Sequence, residues 1–163
     1  MAAAAYEGPV SIRLGRPKVP VLFDANYQFE IGKGVVLQDG SDVTLVATGI
    51  MVSKAVEAAE KLAAEGISAA VVNISTIKPL DNALIIQMAQ KTGAVVTCEE
   101  HNIYGGLGSA VAEVLVEHCP VPMIRVGVAD KFGESGLPDQ LLEKHGLTAD
   151  NIAAKAKEVI GRK

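Results

Sequence analysis

Apolar and polar positions along this chain follow two different periods. Val10-Ser11-Ile12-Arg13-Leu14 alternates with a period of two, as a short strand does, and Gly15-Arg16-Pro17 ends it. From Lys18 to about Gln28 there is no helical period, and Pro17 and Pro20 stand near the start, so the stretch reads as a linker or extended crossover. Gly34 to Gln38 predicts a strand. Asp39-Gly40 then signals a hairpin into a second strand, Asp42 to Thr48, which would set these two strands antiparallel.

Beyond this point strands and helices alternate. Val52, Val56, Ala59 and Leu62-Ala63 recur at helical spacing, and Gly66 stops that helix. Ala69 to Asn73 predicts the next strand. Asp81 is placed to cap a helix from Asn82 to Lys91, closed by Thr92-Gly93. Ala94 to Cys98 is a strand, Ala110 to Val116 a helix, and Met123 to Val128 a last strand. A short helix runs from Asp139 to Lys144, and Thr148 caps a final one through Val159, with Arg162-Lys163 favourably at its carboxyl end. Helical crossovers imply parallel neighbours joined by right-handed connections. The expected fold is a three-layer α/β sandwich around a mostly parallel sheet of about five strands, with one antiparallel edge strand.

Composition agrees with that architecture and excludes some functions. At 163 residues, 49% hydrophobic but only 4% aromatic and without tryptophan, the chain can build one core from Val, Ile, Leu and Ala, as helix-covered parallel sheets do. A net charge of -4 argues against a nucleic-acid partner, which would require a basic face. No apolar run approaches the ~20 residues of a membrane span. The start, Met1-Ala2-Ala3-Ala4-Ala5-Tyr6-Glu7, lacks the pattern of a signal peptide. Cys98 and Cys119 form no CxxC pair, and Cys98 in a buried strand reads as an inert core thiol. A cytoplasmic protein is expected, with no membrane partner.

The densest candidate chemistry lies in Thr97-Cys98-Glu99-Glu100-His101-Asn102-Ile103-Tyr104-Gly105-Gly106-Leu107-Gly108-Ser109. Polar groups at the carboxyl end of a strand, beside a helix N-terminus, stand where open α/β sheets place ligands or partner contacts. Glu99 and Glu100 are neighbours on a strand and should face opposite ways, one into a polar contact and the other toward solvent or a partner subunit. His101 could act as a general base, but no nucleophile with a matching partner accompanies it. Gly105-Gly106-Leu107-Gly108-Ser109 could cradle a phosphate; it lacks a P-loop lysine and the dinucleotide spacing, and it also reads as a tight strand-to-helix turn. Arg13 and Arg16 offer forks for phosphate oxygens, or a solvated strand end. Asp130-Lys131-Phe132-Gly133-Glu134-Ser135-Gly136 predicts an exposed loop at the same sheet edge.

Taken in order, these motifs point to a family. Ile74-Ser75-Thr76-Ile77-Lys78-Pro79-Leu80-Asp81, then Glu99-Glu100-His101 with Gly105-Gly106-Leu107-Gly108, then Phe132-Gly133-Glu134-Ser135-Gly136, resemble the C-terminal domain of transketolase. Phe29-Glu30-Ile31-Gly32-Lys33-Gly34 and Leu141-Leu142-Glu143-Lys144-His145-Gly146-Leu147-Thr148 fit the same pattern. Each motif is weak alone; their order and spacing over nearly the whole chain are specific.

The resemblance implies that residues 1–16 are the tail of a pyrimidine-binding domain, 17–29 a linker and 30–163 the C-terminal domain. It implies thiamine diphosphate and Mg2+ in the complete enzyme, a homodimer in the pentose phosphate pathway that moves a two-carbon ketol unit between sugar phosphates. The Gly-Asp-Gly and asparagine motif for metal and diphosphate is not in this sequence, and Asp39-Gly40 is only a turn. The chain is therefore expected to lack activity alone, to bind no cofactor by itself, and to work with the N-terminal and pyrimidine-binding portions of the enzyme. Arg16 matches the family's arginine that contacts the sugar phosphate. Glu99, Glu100, His101, Gly105 and Gly106 fall to packing and subunit contact, with no catalytic or metal-binding residue assigned. Two relatives compete: 1-deoxyxylulose-5-phosphate synthase, and the β subunit of 2-oxoacid dehydrogenases. A free-standing anion- or nucleotide-binding regulatory domain is the alternative from another class.

Overall fold

The computed structural model describes residues 1–15 and 17–163; Arg16 lies outside the described residues. A four-residue turn of helix, α1 (Ala2–Ala5), stands at the start. Then come β1 (Gly34–Gln38), β2 (Val43–Ala47), α2 (Met51–Ala64), β3 (Ala69–Ile74), α3 (Asn82–Thr92), β4 (Val95–Asn102), α4 (Leu107–His118), β5 (Met123–Val128), α5 (Pro138–Lys144) and α6 (Ala149–Ile160). The five strands form one sheet in the order β1-β3-β2-β4-β5. β1 pairs antiparallel with β3, and every other neighbouring pair is parallel. The mostly parallel three-layer sandwich with one antiparallel edge strand is thus the observed fold.

Alternation along the central strands divides the core in two. Val43, Leu45, Ala47, Val71, Val96 and Cys98 face α2 and α6, while Val46, Ala70, Val72, Ile74 and Val95 face α3 and α4. The Ala-rich faces of α2 and α6 (Ala55, Ala58, Ala59, Ala153 and Ala156 are buried) let these helices pack closely on the sheet and on each other. The other half also buries the hydroxyls of Thr44 and Thr92. The Thr44 hydroxyl lies 2.8 Å from that of Thr92 and donates to Met88 O at 3.2 Å.

Two local expectations fail, each for a tertiary reason. Val10 to Leu14 forms no strand: the sheet ends at β1 and β5, and no described segment pairs with it. Asp39-Gly40 makes no hairpin: β1 and β2 are separated by β3, and the turn crosses that strand's start. A Cβ on Gly40 would lie 2.3 Å from Ala69 C and Ala70 N, so the glycine serves close backbone approach. The predicted strand Ala94 to Cys98 extends as β4 to Asn102, carrying the acid-acid-histidine segment within the strand.

Candidate functional site

The crossovers place β3 on one side of β2 and β4 on the other, so the strand order reverses at the carboxyl ends of β2 and β4. Such a switch point is where open α/β sheets hold ligands. Here that edge carries the β2–α2 turn at Thr48 to Ile50 and the β4–α4 turn at Ile103 to Gly106. The N-terminal arm reaches both sides. Arg13 Nη2 donates to Glu100 O at 3.1 Å, and the Gly15 backbone lies against Ile50, its Cβ position 3.8 Å from Ile50 Cγ2.

Glu99 does not reach this surface. Only 1% exposed, it turns under α4, where its carboxylate accepts from Leu107 N and Gly108 N, both at 2.7 Å. These are orphan donors of a helix start that Gly106 leaves without a side-chain cap. The neighbouring glycines make room: a Cβ on Gly106 would stand 2.0 Å from Glu99 Oε2, and one on Gly108 would stand 2.9 Å from Thr97 Oγ1. Glu100 and His101 point outward and are exposed, and His101 Nδ1 lies 3.1 Å from Asn102 O. Gly105 takes the left-handed conformation (φ 76°), and its N–H donates to Ser109 Oγ at 2.9 Å.

Several residues that make contacts here were given no individual role in the sequence reading. Arg125, in β5, donates from Nη1 to Ile103 O at 2.8 Å, and its guanidinium stands 5.4 Å from the centroid of the Tyr104 ring. Asn102 Nδ2 donates to Asp130 Oδ1 at 2.8 Å while Asn102 Oδ1 accepts from Tyr104 N, so this residue ties the β4–α4 turn to the loop after β5. A lone arginine in an otherwise apolar strand was the available signal. That loop leaves Phe132 99% exposed, and Lys144 Nζ donates to Glu134 Oε2 at 2.6 Å. The Lys144 bond is the chief reason the Glu134 carboxyl sits below its ordinary pKa. Behind the turn, burial pushes the Cys98 thiol well up, and the charge of Glu99 adds to the effect.

The fit to thiamine diphosphate and Mg2+ can be judged from these donors. A diphosphate needs free backbone N–H groups or cations, and a metal needs a cluster of carboxylates or similar ligands. At α4 the N–H groups are already taken by Glu99. Among the described residues no group of three or more His, Cys, Asp or Glu side chains could hold a metal. The residues described here do not fit the cofactor.

A doubly wound α/β domain with a self-capped glycine turn and two loops tied together at its switch-point edge is the class that this geometry defines. The chain belongs to the transketolase C-terminal domain family, whose sequence model matches residues 32–152. It is 54% identical over 159 residues to the 6-deoxy-6-sulfo-D-fructose transketolase subunit SqwH of Clostridium sp. strain MSTE9, covering 98% of this chain and 49% of that protein. It is 48% identical to the 1-deoxy-D-xylulose-5-phosphate synthase of Heliobacterium modesticaldum, covering 96% of this chain and 25% of that protein. Among solved structures, a split-gene transketolase, inactive beta4 tetramer, superposes with a TM-score of 0.95 at 55% identity, over 98% of this chain and 52% of that one. The chain thus spans about half the length of its transketolase relatives.

Proposed function

We propose that this chain serves as the C-terminal part of a transketolase, in which thiamine diphosphate and Mg2+ are held by other parts of the enzyme. The supporting observation is the match over 98% of the chain to transketolases twice its length, together with a glycine turn already filled by Glu99. In this reading residues 1–16 end a pyrimidine-binding domain, 17–29 form a linker, and the arm's tether to Glu100 O carries that domain onto the switch-point edge. Glu100, His101 and Tyr104, exposed on that edge, then meet other parts of the assembly, as do Phe132 and Leu137. The assembly contains a partner segment carrying the diphosphate site, works in the cytoplasm, and is built from two or more copies of each segment.

The substrates in this reading are sugars with an anionic tail. Arg16 binds that tail, a phosphate in the pentose phosphate pathway; the sulfosugar in the Clostridium relative's name makes a sulfonate the competing donor group. Ketol transfer between a ketose phosphate and an aldose phosphate, with thiamine diphosphate and magnesium, is the test. The chain alone should show none, and adding the segment that precedes it in the complete enzyme should restore it. Turnover by the chain alone would overturn the reading; condensation of pyruvate with an aldose phosphate by the complete enzyme would favour the synthase relative. Arg16→Ala in the complete enzyme should raise KM for phosphorylated sugars ~10–100-fold with little change in kcat.

A further inference from the structure

We propose that the start of α4 is an anion-binding site whose ligand is built into the chain, the carboxylate of Glu99. The two oxygens bind two different donors, Oε2 from Leu107 N and Oε1 from Gly108 N, each at 2.7 Å. That is the geometry in which a glycine-rich strand-to-helix turn takes a phosphate or carboxylate from outside. Among the described residues no lysine, arginine or histidine forms an ion pair with Glu99, so backbone N–H groups and the helix dipole balance its charge.

A second observation marks the place as a polar pocket rather than an ordinary cap. Thr97 precedes Glu99 by two residues and therefore shares its face of β4. Its hydroxyl is buried with no hydrogen-bond partner, beside Gly108, one of the two donors. Gly106 completes the enclosure, since any side chain there would enter the space of the carboxylate. The chain thus holds the donors, the glycines and the polar wall of an anion site, closed by its own side chain. No phosphate or nucleotide can use this turn while Glu99 is in place.

Glu99→Ala removes one methylene and the carboxylate, leaving a void the size of acetate. Thermal melting of the full chain is followed in sodium acetate, in sodium chloride at equal ionic strength, and with neutral acetamide. The wild-type chain should melt at one temperature in acetate and chloride. The alanine variant should melt roughly 10 °C lower in chloride, and acetate should restore about half of that loss, saturably, while acetamide does not. Equal melting of the folded variant in acetate and chloride would overturn the proposal. Glu99→Gln decides the matter if the alanine variant does not fold. It keeps the volume but sets an amide donor against a backbone N–H, so it should melt below wild type, show no acetate response, and shift the Leu107 and Gly108 amide resonances. A glutamine variant that melts with the wild type and leaves those resonances in place would overturn the proposal.

Discussion

Helices α3 and α4 lie side by side on one face of the sheet and begin in opposite ways. α3 is capped from next door: Asp81 Oδ1 accepts from Leu84 N at 3.2 Å, three residues on, while Oδ2 accepts from Gly34 N at 3.1 Å and pins the start of β1. α4 has a glycine at the cap position, and its orphan N–H groups are met by Glu99, eight and nine residues back on β4. The first cap is partly open to solvent and can be replaced by water. The second is buried, so its loss leaves either an unpaired charge or unpaired donors in the core. Local caps trim stability; a tertiary cap is a condition of the packing around it.

Gly106→Ala should separate the two most clearly, because its Cβ would overlap the Glu99 carboxylate rather than perturb the helix itself. It should cost about 3 kcal/mol of unfolding free energy, read from urea denaturation, and a loss no larger than an ordinary alanine substitution would break the contrast. Asp81→Ala should cost about 1.5 kcal/mol by the same measurement, with faster hydrogen exchange confined to Leu84 and Gly34. Gly105→Ala should cost about 1 kcal/mol, since space there is open and only the left-handed backbone is strained. Least disruptive is the thiol test. Cys98 is fully buried and its thiol is pushed up by that burial, whereas Cys119 is half-buried. Alkylation of the folded chain near neutral pH should therefore modify Cys119 alone by intact mass, and Cys98 should react only once the chain is unfolded in urea.

The same contrast explains what the sequence made legible. Asp81 before Asn82, Thr148 before Ala149 and Gly93 after Thr92 were readable because donor and acceptor lie within one turn of helix. The strand Met123 to Val128 and the first strand Gly34 to Gln38 were readable to the residue from apolar runs between turn signals. The pairing of β1 was not: its partner is thirty-odd residues away in sequence, and the Asp39-Gly40 signal described the backbone's tight passage over β3 rather than a hairpin. The alternation of Val10 to Leu14 was read correctly as alternation, but a strand needs a neighbour, and none among the described residues provides one.

At the candidate site, the sequence located the segment and proposed that Glu99 and Glu100 face opposite ways, as they do: Glu99 is buried and Glu100 exposed. It could not choose which acid goes inward. Arg125, Asn102 and Asp130 received no individual role because partners of theirs come from other parts of the chain. By itself, then, the sequence determined the order and type of the elements from Gly34 onward, the class of sheet and the family, since all three rest on local periodicity and motif order. Only the tertiary structure decided strand order and the fate of the glycine turn. Those depend on which backbone donors and acceptors meet across the fold, and burial of the Glu99 carboxylate against α4 is what turns a phosphate-like cradle into a closed part of the core.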